Sequence, residues 1–446
     1  MHQRSTSSGN QSESSGYRTG DPGQKPEQQP ILDVANLRTT FYTEKETIRA
    51  VDDISFNIYP GETVGIVGES GSGKTVTARS IMRLIESPGR IEEGSSIRYR
   101  EPELVRELAT KFGDATADIS DIEKIQQDQG FDTRKEAFDY IVDDDDFIFI
   151  EEYANEEYKE EISEGYIDLS RASEEGQRKV RGNAIAMIFQ DPLTSLNPVY
   201  TIGNQILEAI ELHRDLEERS ETELAIDLLE AVGIPDAERR LNEYPHQFSG
   251  GMRQRVVIAM ALACQPEVLI CDEPTTALDV TIQAQILDLL MDLQESRGLS
   301  MMFITHDMGV IAQVSDRVNV MYAGEIVETA TVTDLYENPR HPYTRGLMES
   351  IPGLEGGQDR LETIEGEVPT PTERPTYCRF APRCPEAFED CTEVHPVPVP
   401  VEQEGKTDHT AACLLYPEDE SQMDAVERHR SHIKDHHALE KERDTT

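Results

Sequence analysis

One eight-residue stretch constrains this chain more than any other: Gly68-Glu69-Ser70-Gly71-Ser72-Gly73-Lys74-Thr75, which fits the spacing G-x-x-x-x-G-K-[ST]. Its glycines let the backbone turn N–H groups inward around phosphate oxygens, and a following helix adds its positive N-terminal end. The flanking sequence supplies the necessary context. Thr63-Val64-Gly65-Ile66-Val67 is a short apolar run fit for a buried parallel strand. After the loop, Ala78, Ile81, Met82 and Leu84 fall on one side of a helical segment. The spacing predicts that Lys74 reaches the β- and γ-phosphates of a nucleotide and that the Thr75 hydroxyl binds Mg²⁺.

The metal's second ligand should be a carboxylate at the end of another apolar strand, and Val268-Leu269-Ile270-Cys271-Asp272-Glu273 provides one. Asp272 would bind Mg²⁺ directly or through water, while Glu273 is placed to polarise an attacking water. A phosphate loop with an acidic pair identifies an NTPase and no more. A second anion-binding turn narrows the field: Phe248-Ser249-Gly250-Gly251-Met252-Arg253-Gln254-Arg255 puts a serine and two glycines at a helix start. Free N–H groups, the hydroxyl and the helix dipole all favour an anion there. Such a turn can close over the γ-phosphate held by another subunit.

Further strand-like runs lie at Ile31, Val34 and Leu37 leading to Phe41, and at Ile54–Ile58, Ile185–Phe189, Val268–Cys271 and Met301–Ile304. Helical patterns lie between them, including Leu224, Leu228, Leu229 and Val232. This alternation predicts an α/β fold with a largely parallel sheet covered on both sides. Residues 1–30 are rich in Ser, Gly, Gln and Pro without an apolar signal core, and read as a disordered arm. The ATPase-like pattern spans 31–330, interrupted at about 101–164 by an intensely acidic stretch that includes Asp143–Asp146. That stretch reads as a solvated inserted subdomain or loop without chemistry. A proline-rich module follows over 331–416, and 417–446 reads as a polar, mobile tail. No run approaches the roughly 20 apolar residues needed to cross a bilayer.

The formal net charge is −45, from 42 Lys and Arg against 87 Asp and Glu. An excess of that size repels phosphate backbones and excludes nucleic acid as a general partner. It also reads as adaptation to high salt, where cations screen surface carboxylates. Without an export signal the expected compartment is the cytosol, where thiols stay reduced. Cys264 and Cys271 sit in apolar runs and read as core residues. Cys378, Cys384, Cys391 and Cys413 are spaced C-x5-C-x6-C-x21-C in a proline-rich segment, which suggests a metal staple. The spacing is not the C-x2-C of common zinc ribbons, and a cluster, zinc, or free or disulfide-bonded thiols stay open. His429, His432, His436 and His437 read as part of a solvated, partly helical tail rather than a metal site.

Taken in order, these motifs resemble the ABC ATPase family. Ser249-Gly250-Gly251 resembles the family signature, with Phe248 and Met252 in place of the usual leucine and glutamine. Gln190, in Phe189-Gln190-Asp191-Pro192, resembles the glutamine that senses Mg²⁺ and the membrane partner. Ala277-Leu278-Asp279 resembles the loop that crosses the dimer interface, and His306, in Ile304-Thr305-His306-Asp307, the switch histidine at the γ-phosphate. Phe41 resembles the aromatic that stacks on adenine, with Tyr42 a weaker candidate. The resemblance implies ATP and Mg²⁺, a mostly parallel sheet core, an antiparallel β subdomain and a helical signature subdomain. A soluble relative acting on nucleic acid or ribosomes usually carries two nucleotide domains, coiled coils or basic surfaces, and none is visible here. A P-loop kinase or GTPase has no use for the serine turn or His306.

A narrower resemblance is to the oligopeptide/dipeptide importer ATPases. It rests on Gly65–Lys74, Met187–Pro192, Pro245–Met252 and His341-Pro342-Tyr343-Thr344, the last opening a C-terminal module. Importers of nickel chelates and some sugars share these features. The resemblance implies two separate transmembrane permease subunits, a second ATPase subunit (the same or a related chain) and, indirectly, a solute-binding protein. It also implies a place on the cytoplasmic face of the cell membrane. For the four C-terminal cysteines it implies a structural [4Fe-4S] cluster, ahead of zinc.

Overall fold

The computed structural model describes residues 29–155, 159–213, 220–276, 278–350, 364–402, 409–418 and 420–431. The expected N-terminal arm therefore lies, but for its last two residues, outside the described residues. So do Ala277, His432, His436 and His437.

Strands β1 (Leu32–Tyr42) and β2 (Thr47–Ile58) pair antiparallel, and β3 (Thr63–Val67) follows them into a different sheet. β4 (Gly89–Ile91) and β5 (Ser96–Tyr99) pair with β1. β6 (Thr116–Asp118), β7 (Ile148–Asn155) and β8 (Glu160–Asp168) extend that sheet in the order β2-β1-β5-β8-β7-β6. The central sheet takes β9 (Ile185–Ile188), β10 (Val268–Asp272), β11 (Ser300–Thr305), β12 (Arg317–Tyr322) and β13 (Glu325–Thr331), with the short β14 (Val399–Pro400) and β15 (Thr410–Ala411) at its edge. Its order is β14-β15-β13-β12-β3-β11-β10-β9, and β12, β3, β11, β10 and β9 are mutually parallel.

Every residue of β3, β9, β10 and β11 is buried, which is why these strands read as continuous apolar runs without alternation. Alternate residues nevertheless serve opposite faces. Val67, Ile188, Leu269, Cys271, Met301 and Phe303 enter one core with helices Ile202–His213, Glu221–Ala231, Gly250–Leu262 and Val280–Arg297. Val64, Ile66, Met187, Ile270, Met302 and Ile304 enter another, formed with β1, β2 and helix Lys74–Ile81. One face is thus covered by helices and the other mainly by the antiparallel sheet, the antiparallel β subdomain that the family resemblance implied.

The acidic stretch does not behave as a solvated loop. Leu104, Val105 and Leu108 of helix Pro102–Lys111, with Phe147 and Ile148, join the main core. Ala117, Ile119, Ile122, Ala137, Phe149 and Tyr166 form a satellite core of their own. The compositional boundary at 164 falls inside β8, which carries Glu160, Glu161 and Glu164 before the buried Tyr166 and Ile167 and pairs with β7 along both parts. Of the tail, the partly helical reading holds over the described residues, while the solvated reading fails at His429. Residues 422–431 are helical, Ala425 and Val426 are buried, and His429 is fully buried with its Nδ1 accepting the Val397 N–H at 3.1 Å. A backbone donor far upstream needs that imidazole, which a local reading of a polar tail could not reveal. No helix among the described residues is long and apolar enough to cross a membrane.

Candidate functional site

β3 delivers the glycine loop and helix Lys74–Ile81 continues from it. Gly73 caps that helix at φ 107°, and a Cβ there would lie 2.4 Å from the Ala50 carbonyl oxygen, so only glycine fits. Lys74 is buried and curls back, its Nζ donating to the carbonyls of Gly68 (2.8 Å) and Glu69 (3.0 Å). Burial pushes its ammonium pKa down, while the charges of Glu273, Asp272 and Glu69 work against that shift. Thr75 Oγ1 donates to Asp272 Oδ1 at 2.9 Å, bringing together two residues 197 positions apart. Burial raises the Asp272 carboxyl pKa and the Thr75 hydroxyl partly offsets it. A hydroxyl and a carboxylate oxygen side by side at a phosphate loop fit the hard-oxygen preference of Mg²⁺.

Glu273 leaves the end of β10 with φ 47°, a left-handed conformation unusual for a glutamate. Its Oε2 accepts from Gln190 Nε2 and Thr276 Oγ1, both at 2.9 Å, and its Oε1 lies 3.3 Å from His306 Nδ1. Burial pushes this carboxyl up, but the bonds from Thr276 and His306 and the nearby Lys74 charge outweigh it and hold the pKa below the ordinary value. Glu273 is therefore an ionised acceptor, oriented at both oxygens, beside Asp272. His306 is largely exposed and Gln190 is exposed, so each reaches the group from a surface loop.

Lys74, Thr75, Gln190, Asp272, Glu273 and His306 thus converge. Ser249, Gly250 and Gly251 do not join them. Ser249 is exposed, and its Oγ caps its own helix by accepting the Met252 N–H at 3.3 Å. Gly250 faces Leu278 and Gly251 faces Ile282. Asp279 caps helix Val280–Arg297, accepting from the N–H groups of Thr281 (3.1 Å) and Ile282 (3.0 Å). The serine turn and Asp279 accordingly sit together, and Ser249 and Asp279 are exposed. Phe41 pairs with Gly89 across β1 and β4, and its ring fills the space a side chain at Gly89 would take. Tyr42 is more exposed, with Arg90 over its ring and its hydroxyl bonded to Glu92.

Sequence reasoning missed three participants. Thr276, three residues after Glu273, could have been suspected from its position in the turn. Tyr343 and Arg383 could not. Tyr343 Oη accepts the Glu69 N–H at 2.8 Å, and Arg383 bonds both Glu69 carboxylate oxygens. They reach the phosphate loop from 274 and 314 residues downstream.

Cys264 and Cys271 are buried in the helix-covered core. Cys378, Cys384, Cys391 and Cys413 all line one pocket, with Phe388 and Leu414 among its apolar walls. Burial raises all four thiol pKa values, that of Cys378 to about 12. Among the described residues no group of three or more His, Cys, Asp or Glu converges tightly enough to hold a metal ion as the side chains stand.

The family profile described as "ABC transporter" matches residues 51–170 and 153–276, and "Oligopeptide/dipeptide transporter, C-terminal region" matches 327–391. A putative peptide import ATP-binding protein of Brucella melitensis is 44% identical over 87% of this chain and 98% of its own length. The oligopeptide transport ATP-binding protein AppD of Bacillus subtilis is 42% identical over 87% of this chain and 98% of its own. A solved dimeric ATP-binding cassette bound to ADP and Pi is 22% identical, with a TM-score of 0.47 over 68% of this chain and 99% of that one.

Proposed function

This chain belongs to the ABC transporter ATPase family, and we propose that it supplies the ATP-driven step of a peptide importer. The observation that carries the ATP half is the Thr75–Asp272 hydrogen bond beside an ionised Glu273 held by Gln190, Thr276 and His306. The peptide half is supported by the C-terminal profile and by the names of the relatives.

Lys74 would leave its loop carbonyls for the β- and γ-phosphates, and Thr75 with Asp272 would hold Mg²⁺, which supplies charge neutralisation at those phosphates. Glu273 orients the attacking water through whichever oxygen its neighbours leave open, and His306 meets the charge that develops on the transferred phosphoryl group. Gln190 bonds Glu273 and reaches it from an exposed loop, a route by which a membrane partner can alter the water-activating carboxylate. Phe41 is the residue we assign to adenine.

The serine turn stands apart from this group, so a second ATPase domain is needed to bring Ser249-Gly250-Gly251 over the γ-phosphate, with Asp279 at the junction. Helix-start N–H groups and the dipole then favour the phosphate. Closure and reopening of that pair would drive two membrane permease subunits, fed by a solute-binding protein, with this chain peripheral on the cytoplasmic face. The division into an ATPase unit of 31–330 and a C-terminal module from 331 is part of the same reading.

The four cysteines suit a [4Fe-4S] cluster: they share one pocket, and cysteine sulfur is the ligand such a cluster takes. A net charge of −45 supports a salt-adapted surface. The test of function is purification with its permease subunits and measurement of ATP hydrolysis against added peptides. Peptide-stimulated turnover supports the proposal, whereas stimulation only by nickel chelates or sugars would replace the substrate class.

A further inference from the structure

Glu69, the second residue of the phosphate loop, is held from three directions. Its carbonyl accepts Lys74 Nζ at 3.0 Å and the Ser72 N–H at 3.2 Å. Its N–H donates to the Tyr343 hydroxyl at 2.8 Å. Its carboxylate takes Arg383 at both oxygens, Nη1 at 2.7 Å and Nη2 at 3.0 Å. The first hold is internal to the loop; the other two come from the C-terminal module.

Arg383 is itself fixed. Its Nε donates to the Glu365 carbonyl at 2.9 Å and its Nη2 to the Gly366 carbonyl at 3.1 Å, and only 6% of its side chain is exposed. A sheltered bidentate pair of this kind is directional as well as strong. It also neutralises a carboxylate that would otherwise repel the phosphates of an incoming nucleotide.

Arg383 closes the short turn Ala381–Arg383, which joins Cys378 to Cys384. Phe380, in the same stretch, packs edge-on against Tyr322 and Tyr343. The thiol pocket, the aromatic trio and Glu69 therefore form one continuous packed path, with Arg383 directly preceding Cys384.

We propose that Arg383 and Tyr343 are positioning residues that hold the phosphate loop in its phosphate-receiving shape, so that the state of the four-thiol pocket sets the affinity for ATP. The inference rests on the loop's reading as the ATP site.

The test uses the full-length chain and reads binding of a non-hydrolysable ATP analogue with Mg²⁺ by calorimetry, alongside KM and kcat for ATP. Tyr343→Phe removes one hydroxyl and leaves the ring packed, so the fold is retained. It should raise Kd and KM about 5-fold, the loss of one hydrogen bond, with kcat little changed. Arg383→Gln should raise them about 10-fold or more, since it leaves Glu69 unpaired. Glu69→Gln combined with Arg383→Gln should recover much of that loss, because no unpaired carboxylate remains. Anaerobically iron-loaded and iron-free wild type should differ in Kd and in hydrogen exchange over 68–75, and Arg383→Gln should abolish the difference.

Unchanged affinity in Tyr343→Phe and Arg383→Gln would overturn the proposal. So would additive losses in the double variant, or an iron-dependent shift that survives in Arg383→Gln. Failure of the wild type itself to bind the analogue would instead indict the ATP site, so the two failures are distinguishable.

Discussion

Replacing Glu273 with glutamine isolates chemistry from architecture at this site. The amide has the same shape, and its oxygen can still accept from Gln190 Nε2 and Thr276 Oγ1, both at 2.9 Å from Oε2 in the native chain. Its NH₂ then faces His306 Nδ1, now 3.3 Å from Oε1. All three contacts survive, so folding stability should stay within about 0.5 kcal/mol of wild type. What is lost is an ionised acceptor for the water's proton. A positioned base contributes roughly 10²- to 10⁴-fold, or about 3–5 kcal/mol of barrier. ATP binding should persist or tighten, because one negative charge leaves the neighbourhood of the phosphates. Single-turnover hydrolysis of γ-labelled ATP gives the rate, calorimetry gives the Kd, and light scattering follows ATP-dependent pairing, which should increase. Hydrolysis within about threefold of wild type, with normal binding, would refute the role assigned to Glu273.

His341 gives a pH prediction of definite sign. Burial pushes its pKa down to about 4 against the opposing Glu328 charge, so the folded chain holds the neutral ring while the unfolded chain protonates first. The stability this contributes is full above pH 6.5 and is lost as pH falls toward 4, about 2 kcal/mol of it by pH 5. His341→Asn keeps an acceptor for the Tyr343 N–H, now bonded to His341 Nδ1 at 3.1 Å, so urea melts at pH 7.5 and 5 should show a flatter loss; equal losses refute it. Arg379 and Asp52 form a buried pair at 2.5 Å, and Arg379→Ala should cost about 3–5 kcal/mol by chemical denaturation, largely recovered when Asp52→Asn is added. Anaerobic purification should give a brown protein with iron and sulfide that Cys384→Ser bleaches; a colourless, iron-free wild type would remove the cluster. Stability and ATPase rate should rise with KCl, and full values in dilute buffer would count against salt adaptation.

The nucleotide site was legible because its parts are local signals. The loop, the strand that feeds it and the acidic end of β10 each carry their pattern within about ten residues, and full burial of β3 and β10 makes them unbroken apolar runs. The antiparallel cover of the sheet was less legible from patterning. Its strand β8 carries Glu160, Glu161 and Glu164 before the buried Tyr166 and Ile167, so composition marked a boundary in the middle of one element. His429 and Tyr343 show the deeper limit. Each is needed by a backbone N–H in a distant segment, that of Val397 or of Glu69, and no periodicity records such a need. Phe41 lies between these cases: its position follows the strand pattern, but the room for its ring depends on Gly89 of another strand.

The composite nucleotide site can be tested most directly by a photoreactive ATP analogue carrying its probe on the γ-phosphate. Heavy-isotope chain with Lys74→Ala, which cannot hold the nucleotide, is mixed with light Glu273→Gln chain in the assembled transporter, and the labelled peptide is found by mass spectrometry. The account predicts label on residues 248–252 of an ATPase chain other than the one holding the nucleotide, heavy chain included where two copies pair. Label confined to the chain whose own loop binds the analogue would contradict it.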